Sequence, residues 1–236
     1  MTTFFPRTSK HSARRLSTNL ILSGGLLLLF LGNSLRAAWD FTSIQQRADQ
    51  LYGPASSDAK KRIDAWQQLL LQQRNKSESE QLNAVNLFFN QQLHYREDSE
   101  IWNTIDYWAT PVESLRKGEA DCEDYALAKY FTLRHLGISG EKLRITYVKA
   151  IRLNRAHMVL TWYETPDAIP VVLDSLTNKL LPATQRADLL PVYSFNDSGL
   201  WLPGSQNNKR VGDSKHLSRW QDVLKKMREE GFPIDE

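Results

Sequence analysis

The chain has 236 residues, 41% hydrophobic and 24% charged, a globular balance that excludes a disordered, collagen-like or coiled-coil protein. Its formal charge of +3 and pI near 8.9 would suit a polyanion or an anionic membrane only if the basic residues belong to the folded part. One cysteine, Cys122, excludes both an internal disulfide framework and a multi-thiolate zinc site, since each needs at least two thiols.

Arg7, Lys10, Arg14 and Arg15 precede an apolar run from Leu20 to Leu31, and the first acidic residue is Asp40. A basic stretch followed by about a dozen apolar residues is the pattern of a secretory signal. The run is short for a membrane-spanning helix, which needs about 20 residues. Small residues at Gly32 and Ser34 favour cleavage after Ser34, so 1–34 is read as a signal peptide and 40–236 as the folded domain. The alternative is an uncleaved inner-membrane anchor, and both put the domain outside the cytoplasm. Removing 1–34 takes away four basic residues and no acid, leaving 202 residues near −1. The basic balance therefore belongs to the export signal, and no nucleic-acid partner is expected. In an oxidising compartment a lone thiol is retained for its chemistry.

From Phe41 to about Asn90 the spacing is helical, with apolar faces at Ile44, Ala48 and Leu51, at Ile63, Trp66, Leu69 and Leu70, and at Leu82, Val85 and Phe89. Breaks are expected at Pro54 to Ser57 and at Asn75 to Ser79. Thr110 reads as a cap with Pro111 at the first helical position, so a short helix should run toward Arg116 and end at Gly118. The next helix should start at Asp121 or Cys122, run to His135 and close at Gly137. Strand patterns follow at Leu143 to Ile151, Ala156 to Trp162 and Val171 to Asp174, with weaker ones at Val192 to Phe195 and Gly199 to Leu202. Ser214 to Glu230 reads as an amphipathic closing helix. Helices first and a mostly antiparallel sheet afterward predict an α+β domain.

The chemistry centres on Glu119-Ala120-Asp121-Cys122-Glu123-Asp124-Tyr125. A thiol is nucleophilic as thiolate, and a helix N-terminus favours that form and offers a backbone N–H to an oxyanion. The carboxylates of Glu119, Asp121, Glu123 and Asp124 push the other way. Two readings stand. Several of these acids could ligate calcium, the natural hard cation outside the cytoplasm, or Asp121 could cap the helix while Glu123 and Asp124 complement its dipole. The cluster matches no EF-hand loop.

Of the five histidines, His11 falls in the export signal, His94 and His216 sit in polar surroundings, and His135 lies near a helix end. His157 differs, because it sits in the apolar strand Ala156-His157-Met158-Val159-Leu160, where a polar ring needs a partner. Asp174, 17 residues on, ends Val171-Val172-Leu173-Asp174 and could orient the imidazole. Cys, His and Asp in that order, on a helix end and two successive strands, is a thiol-hydrolase arrangement. A Cys-to-His spacing of 35 is too compact for the papain pattern. Trp108 reads equally as a wall of the site or as core.

The segments Asp106-Tyr107-Trp108-Ala109-Thr110-Pro111-Val112-Glu113, Asp121-Cys122-Glu123-Asp124-Tyr125-Ala126, Leu143 to Val148, Ala156 to Leu160 and Val172-Leu173-Asp174 together resemble the bacterial transglutaminase-like cysteine proteases of the LapG type. The resemblance is dense from about Asp106 to Asn196 and implies a transglutaminase-like, papain-like thiol hydrolase core. It implies Cys122 as nucleophile, His157 as general base and later acid, and Asp174 as the orienting carboxylate. It also implies an activating calcium at Asp121 and Glu123, with Asp124 a third ligand. Further implied are a periplasmic location, cleavage of a large surface adhesin at a paired-alanine site near its N-terminus, and sequestration by an inner-membrane LapD-type receptor that responds to cyclic di-GMP. A cell-wall thiol peptidase, a transglutaminase-type acyl transferase and a non-catalytic binding module are the alternatives.

Overall fold

The computed structural model describes Met1 and residues 39–203 and 210–234; the expected signal peptide beyond Met1, with His11, lies outside these residues. Among the described residues no helix is long and apolar enough to cross a membrane.

The helical half follows local chemistry. Asp40 caps α1 (Phe41–Tyr52), Ser56 caps α2 (Ser57–Gln73), and a Ser77–Glu80 capping box opens α3 (Glu78–Gln92). Both breaks fall where expected. The apolar stripes meet in one core, with Ile44, Ala48, Ile63, Trp66, Leu82, Val85 and Phe89 almost fully enclosed. Leu51 departs from its stripe and is 47% exposed, because it lies in the last turn of α1, beyond the edge of that core.

After α3 come β1 (His94–Tyr95), α4 (Asp98–Ile101), α5 (Pro111–Lys117) and β2 (Glu119–Ala120). Thr110 and Glu113 form the capping box of α5, Pro111 starts it, and Gly118 ends it at φ 75°, a left-handed conformation that glycine adopts without strain. The strands β1 and β2 pair in parallel, His94 against Glu119 and Tyr95 against Ala120. This short pair brings residues 94–98 alongside the start of α6 (Cys122–His135).

Every residue of α6 from Asp124 to Leu133 is buried. It packs between α3 and a seven-stranded antiparallel sheet made of β3 (Leu143–Ala150), β4 (Arg155–Trp162), β5 (Val171–Asp174), β6 (Thr177–Pro182), β7 (Leu189–Phe195), β8 (Leu200–Trp201) and β9 (Arg210–Gly212). The spatial order is β6-β5-β4-β3-β7-β8-β9. Ile145, Met158, Leu160 and Leu173 face α6, whereas Val148, Val159 and Val172 form a smaller cluster apart from it. The closing helix is shorter than expected. Asp213 caps a 3₁₀ turn at Ser214–His216, and α7 spans Ser218–Glu229, burying Trp220, Val223 and Met227. The mixed, mostly antiparallel α+β architecture is the one expected from the sequence.

Candidate active site

Cys122 is the first residue of α6, so its N–H has no intrahelical acceptor and faces the positive end of the helix dipole. Its sulfur is partly buried, donates to Glu123 Oε2 at 3.0 Å, and receives a hydrogen bond from the Met158 backbone. Burial, then the charges of Glu123 and Asp121, push the thiol well above its usual range; the Met158 contact works in the opposite direction. Arg155, at the start of β4, interacts electrostatically with the sulfur while pairing with Glu97 at 2.6 Å.

His157 and Asp174 lie on neighbouring strands and form a fully enclosed pair, Nε2 to Oδ1 at 2.8 Å. The other ring nitrogen, Nδ1, is buried with no hydrogen-bond partner. His157 immediately precedes Met158, whose backbone contacts the Cys122 sulfur, so the expected base and the expected nucleophile belong to adjoining stretches of chain. Asp174 Oδ1 also accepts the Leu176 N–H at 3.1 Å, and Oδ2 accepts from Arg186 Nη2 at 2.7 Å. Burial opposes the charge, but the His157 contact, the Leu176 N–H and Arg186 outweigh it and hold the Asp174 carboxyl well below the usual range.

The acids gather beside Cys122. Asp98 Oδ2 accepts the Tyr107 N–H, and Asp124 Oδ1 accepts the Ala109 N–H at 2.7 Å. The remaining oxygens, Asp98 Oδ1 and Asp124 Oδ2, are buried without a partner, as is Asp121 Oδ1. Ligand atoms of Asp98, Asp121 and Asp124 lie within 4.8 Å of one another; Glu123 groups in the same way with Asp98 and Asp106, and with Asp121 and Cys122. Asp121 occupies the N-cap position, yet its side chain makes no capping hydrogen bond, so the capping alternative fails for it. Desolvation first, and mutual repulsion after it, push the carboxyls of Asp121, Asp124 and Asp98 up. Three orphaned buried carboxylate oxygens form an all-oxygen donor set that suits a hard cation such as calcium.

The other expected residues fall into place. Trp108 is partly buried and stacks on Phe195 with centroids 5.7 Å apart, which favours its core role. His135 stacks on Trp39, and His94 and His216 are exposed. Asp98, Arg155 and Arg186 escaped the sequence reading. No local pattern marks Asp98 or Arg186, because only the β1–β2 pair and the chain beyond β6 deliver them.

A buried His–Asp pair, a thiol at a helix N-terminus and an antiparallel sheet packed on that helix define a thiol hydrolase of transglutaminase-like fold. The chain belongs to the bacterial transglutaminase-like cysteine proteinase family (BTLCP), which matches residues 57–203, and is therefore a cysteine protease. Among solved structures it is similar to LapG of Legionella pneumophila, with 45% identity over 79% of this chain and 97% of that one, at a TM-score of 0.68. The EGTA-treated form of that protein matches at 45% identity and TM-score 0.69, covering 79% and 97%. Its calcium-bound form matches at 44% identity and TM-score 0.67, covering 79% and 98%. No curated protein matches the chain.

Proposed function

We propose that the protein is a calcium-dependent periplasmic endopeptidase that cuts the N-terminal region of a large surface adhesin at a paired-alanine site, releasing the adhesin and promoting biofilm detachment. The observation that carries the reading is the enclosed His157–Asp174 pair, whose Nδ1 has no partner and which lies one residue from the backbone touching the Cys122 sulfur. Asp174 holds the imidazole at Nε2, leaving Nδ1 to take the thiol proton. The Cys122 thiolate then attacks the scissile carbonyl, and the Cys122 N–H with a second donor stabilises the oxyanion. His157 returns the proton to the leaving amine, and water hydrolyses the acyl-enzyme. Asp98, Asp121, Glu123 and Asp124 would hold calcium, which when bound supplies positive charge against the carboxylates that otherwise disfavour the thiolate.

Export rests on the basic and apolar N-terminal pattern, and the adhesin substrate and the LapD-type receptor responding to cyclic di-GMP rest on the likeness to LapG-type proteases. The test incubates wild type and Cys122→Ala with the N-terminal region of a co-encoded adhesin, with and without chelator. Wild type should cut, Cys122→Ala should not, and calcium should restore what chelation removes. A folded Cys122→Ala that still cuts would sink the mechanism, and full cleavage in excess chelator would sink the calcium requirement.

A further inference from the structure

Lys129 sits in the middle of α6 with a relative exposure of 0%, two turns along from Cys122, in a stretch of the helix where Ala126, Leu127, Tyr130 and Phe131 are buried as well. A lysine so enclosed is costly unless its ammonium is used. Its Nζ donates to Asn90 Oδ1 at 2.8 Å, and it lies 5.5 Å from the centroid of the Tyr125 ring. Asn90, on α3, passes the interaction on. Its Nδ2 donates to the main-chain oxygen of Asp174 at 2.9 Å, to that of Thr177 at 3.1 Å and to Asn178 Oδ1 at 3.1 Å. These acceptors belong to the β5–β6 hairpin, which presents the Asp174 carboxylate to His157.

The chain of contacts has one sense. The hairpin carbonyls are acceptor-only, so the amide must turn Nδ2 to Asp174, and its Oδ1 is left to accept from Lys129, which has N–H donors whether charged or neutral. We propose that Lys129 is a positioning residue which, through Asn90, locks the hairpin carrying Asp174 and so sets the orientation of His157. The inference rests on the reading of Asp174 and His157 as partners of Cys122. Asp174 is thereby held from two sides, its carbonyl by α3 and its carboxylate by Arg186. The Asp174 charge also opposes the burial that pushes the Lys129 ammonium down to about 7.

The test compares calcium-loaded Lys129→Met, Lys129→Gln and Asn90→Ala with wild type, by adhesin cleavage and by iodoacetamide alkylation of Cys122, the only thiol in the chain. Lys129→Met should lower kcat by about tenfold with KM changed by less than about twofold, the mark of a lost positioning interaction rather than lost binding. Asn90→Ala should behave likewise. Lys129→Gln, which keeps a donor for Asn90, should recover most of the loss. A packing role reverses that order, because Met matches the length and apolar surroundings of Lys129 better than Gln does. Wild-type kcat in folded Lys129→Met, or Met outperforming Gln, overturns the inference. Should Lys129→Met not fold, wild-type kcat in Asn90→Ala overturns it instead. Wild-type Cys122 alkylated no faster than in His157→Ala brings down the triad reading and this inference together. Failure confined to the Lys129 and Asn90 variants leaves the triad standing.

Discussion

Asp98 and Lys129 show how one buried charge can be weighed. Asp98 uses Oδ2 on the Tyr107 N–H while Oδ1 is orphaned, and burial, with Glu123, Asp106 and Glu97 adding repulsion, pushes its carboxyl up to about 6. Asp98→Asn keeps an acceptor for Tyr107 and removes one charge from the cluster. Without calcium it should therefore melt above wild type, while its calcium affinity falls by about tenfold or more, each tenfold being about 1.4 kcal/mol. Calorimetric titration and thermal unfolding in chelator measure both; wild-type affinity with an unchanged melting point would put the ion elsewhere. Lys129 titrates in the opposite sense. Burial lowers its pKa from 10.5 to about 7, so between those values the unfolded chain binds a proton that the folded chain does not. Stability then rises with pH across that window, by at most about 1.4 kcal/mol per pH unit. Urea unfolding of wild type and Lys129→Met at pH 7 and pH 9.5 isolates this contribution as a difference: the stability of wild type relative to the variant should rise with pH, and a difference that does not move would exclude Lys129 as the titrating group.

At the scale of elements, the end of α7 latches the segment leading into α5. Glu230 Oε1 accepts the Thr110 hydroxyl and the Tyr52 hydroxyl, and Lys226 donates to Glu113 and to the Trp108 carbonyl. The latched segment supplies the Tyr107 and Ala109 N–H groups that hold Asp98 and Asp124. Burial first, with the charge of Glu113 adding to it, pushes Glu230 from 4.5 up to about 8. A carboxyl raised on folding contributes stability that is complete below its unfolded pKa and lost as pH rises through the folded one. Wild type should thus lose stability relative to Glu230→Gln between pH 5 and pH 8, and parallel melting curves for the two across that range would exclude Glu230 as the titrating group. Both ends of α5 were legible because Thr110, Pro111, Glu113 and Gly118 write those boundaries in local chemistry, whereas Asp121 takes the N-cap position of α6 without capping it. The strands β1 and β2 were not, since two residues carry no periodicity. Their absence from the sequence reading also hid Asp98, because the pairing of His94 with Glu119 is what brings it to Asp121. Cys122, His157 and Asp174 could be picked out as one reactive residue and two polar residues in apolar settings. Arg186 reaches Asp174 only through tertiary folding from the chain after β6.

For the molecule as a whole, the acidic cluster joins three stretches of chain, around Asp98, around Tyr107 to Ala109 and around Asp121 to Asp124, so its charge state bears on global stability and not only on catalysis. Without metal, the raised pKa values of Asp98, Asp121 and Asp124 mean that the fold binds protons which the unfolded chain has already released. The metal-free fold should therefore weaken as pH rises from the ordinary carboxylate range through neutrality. Calcium takes the deprotonated oxygens, so it competes with those protons and offsets the repulsion that neutral pH exposes. The stabilisation it confers should be large at pH 7.5 and small at pH 5, and binding should release protons from the acid range through neutrality. At calcium a hundredfold above Kd, linkage stabilises the fold by about 2.7 kcal/mol, enough to resolve by differential scanning calorimetry. Melting points in calcium and in chelator, taken at both pH values, give the comparison directly. A calcium-induced shift of equal size at pH 5 and pH 7.5 would show that the ion is not held by these buried carboxylates, whatever its effect on cleavage.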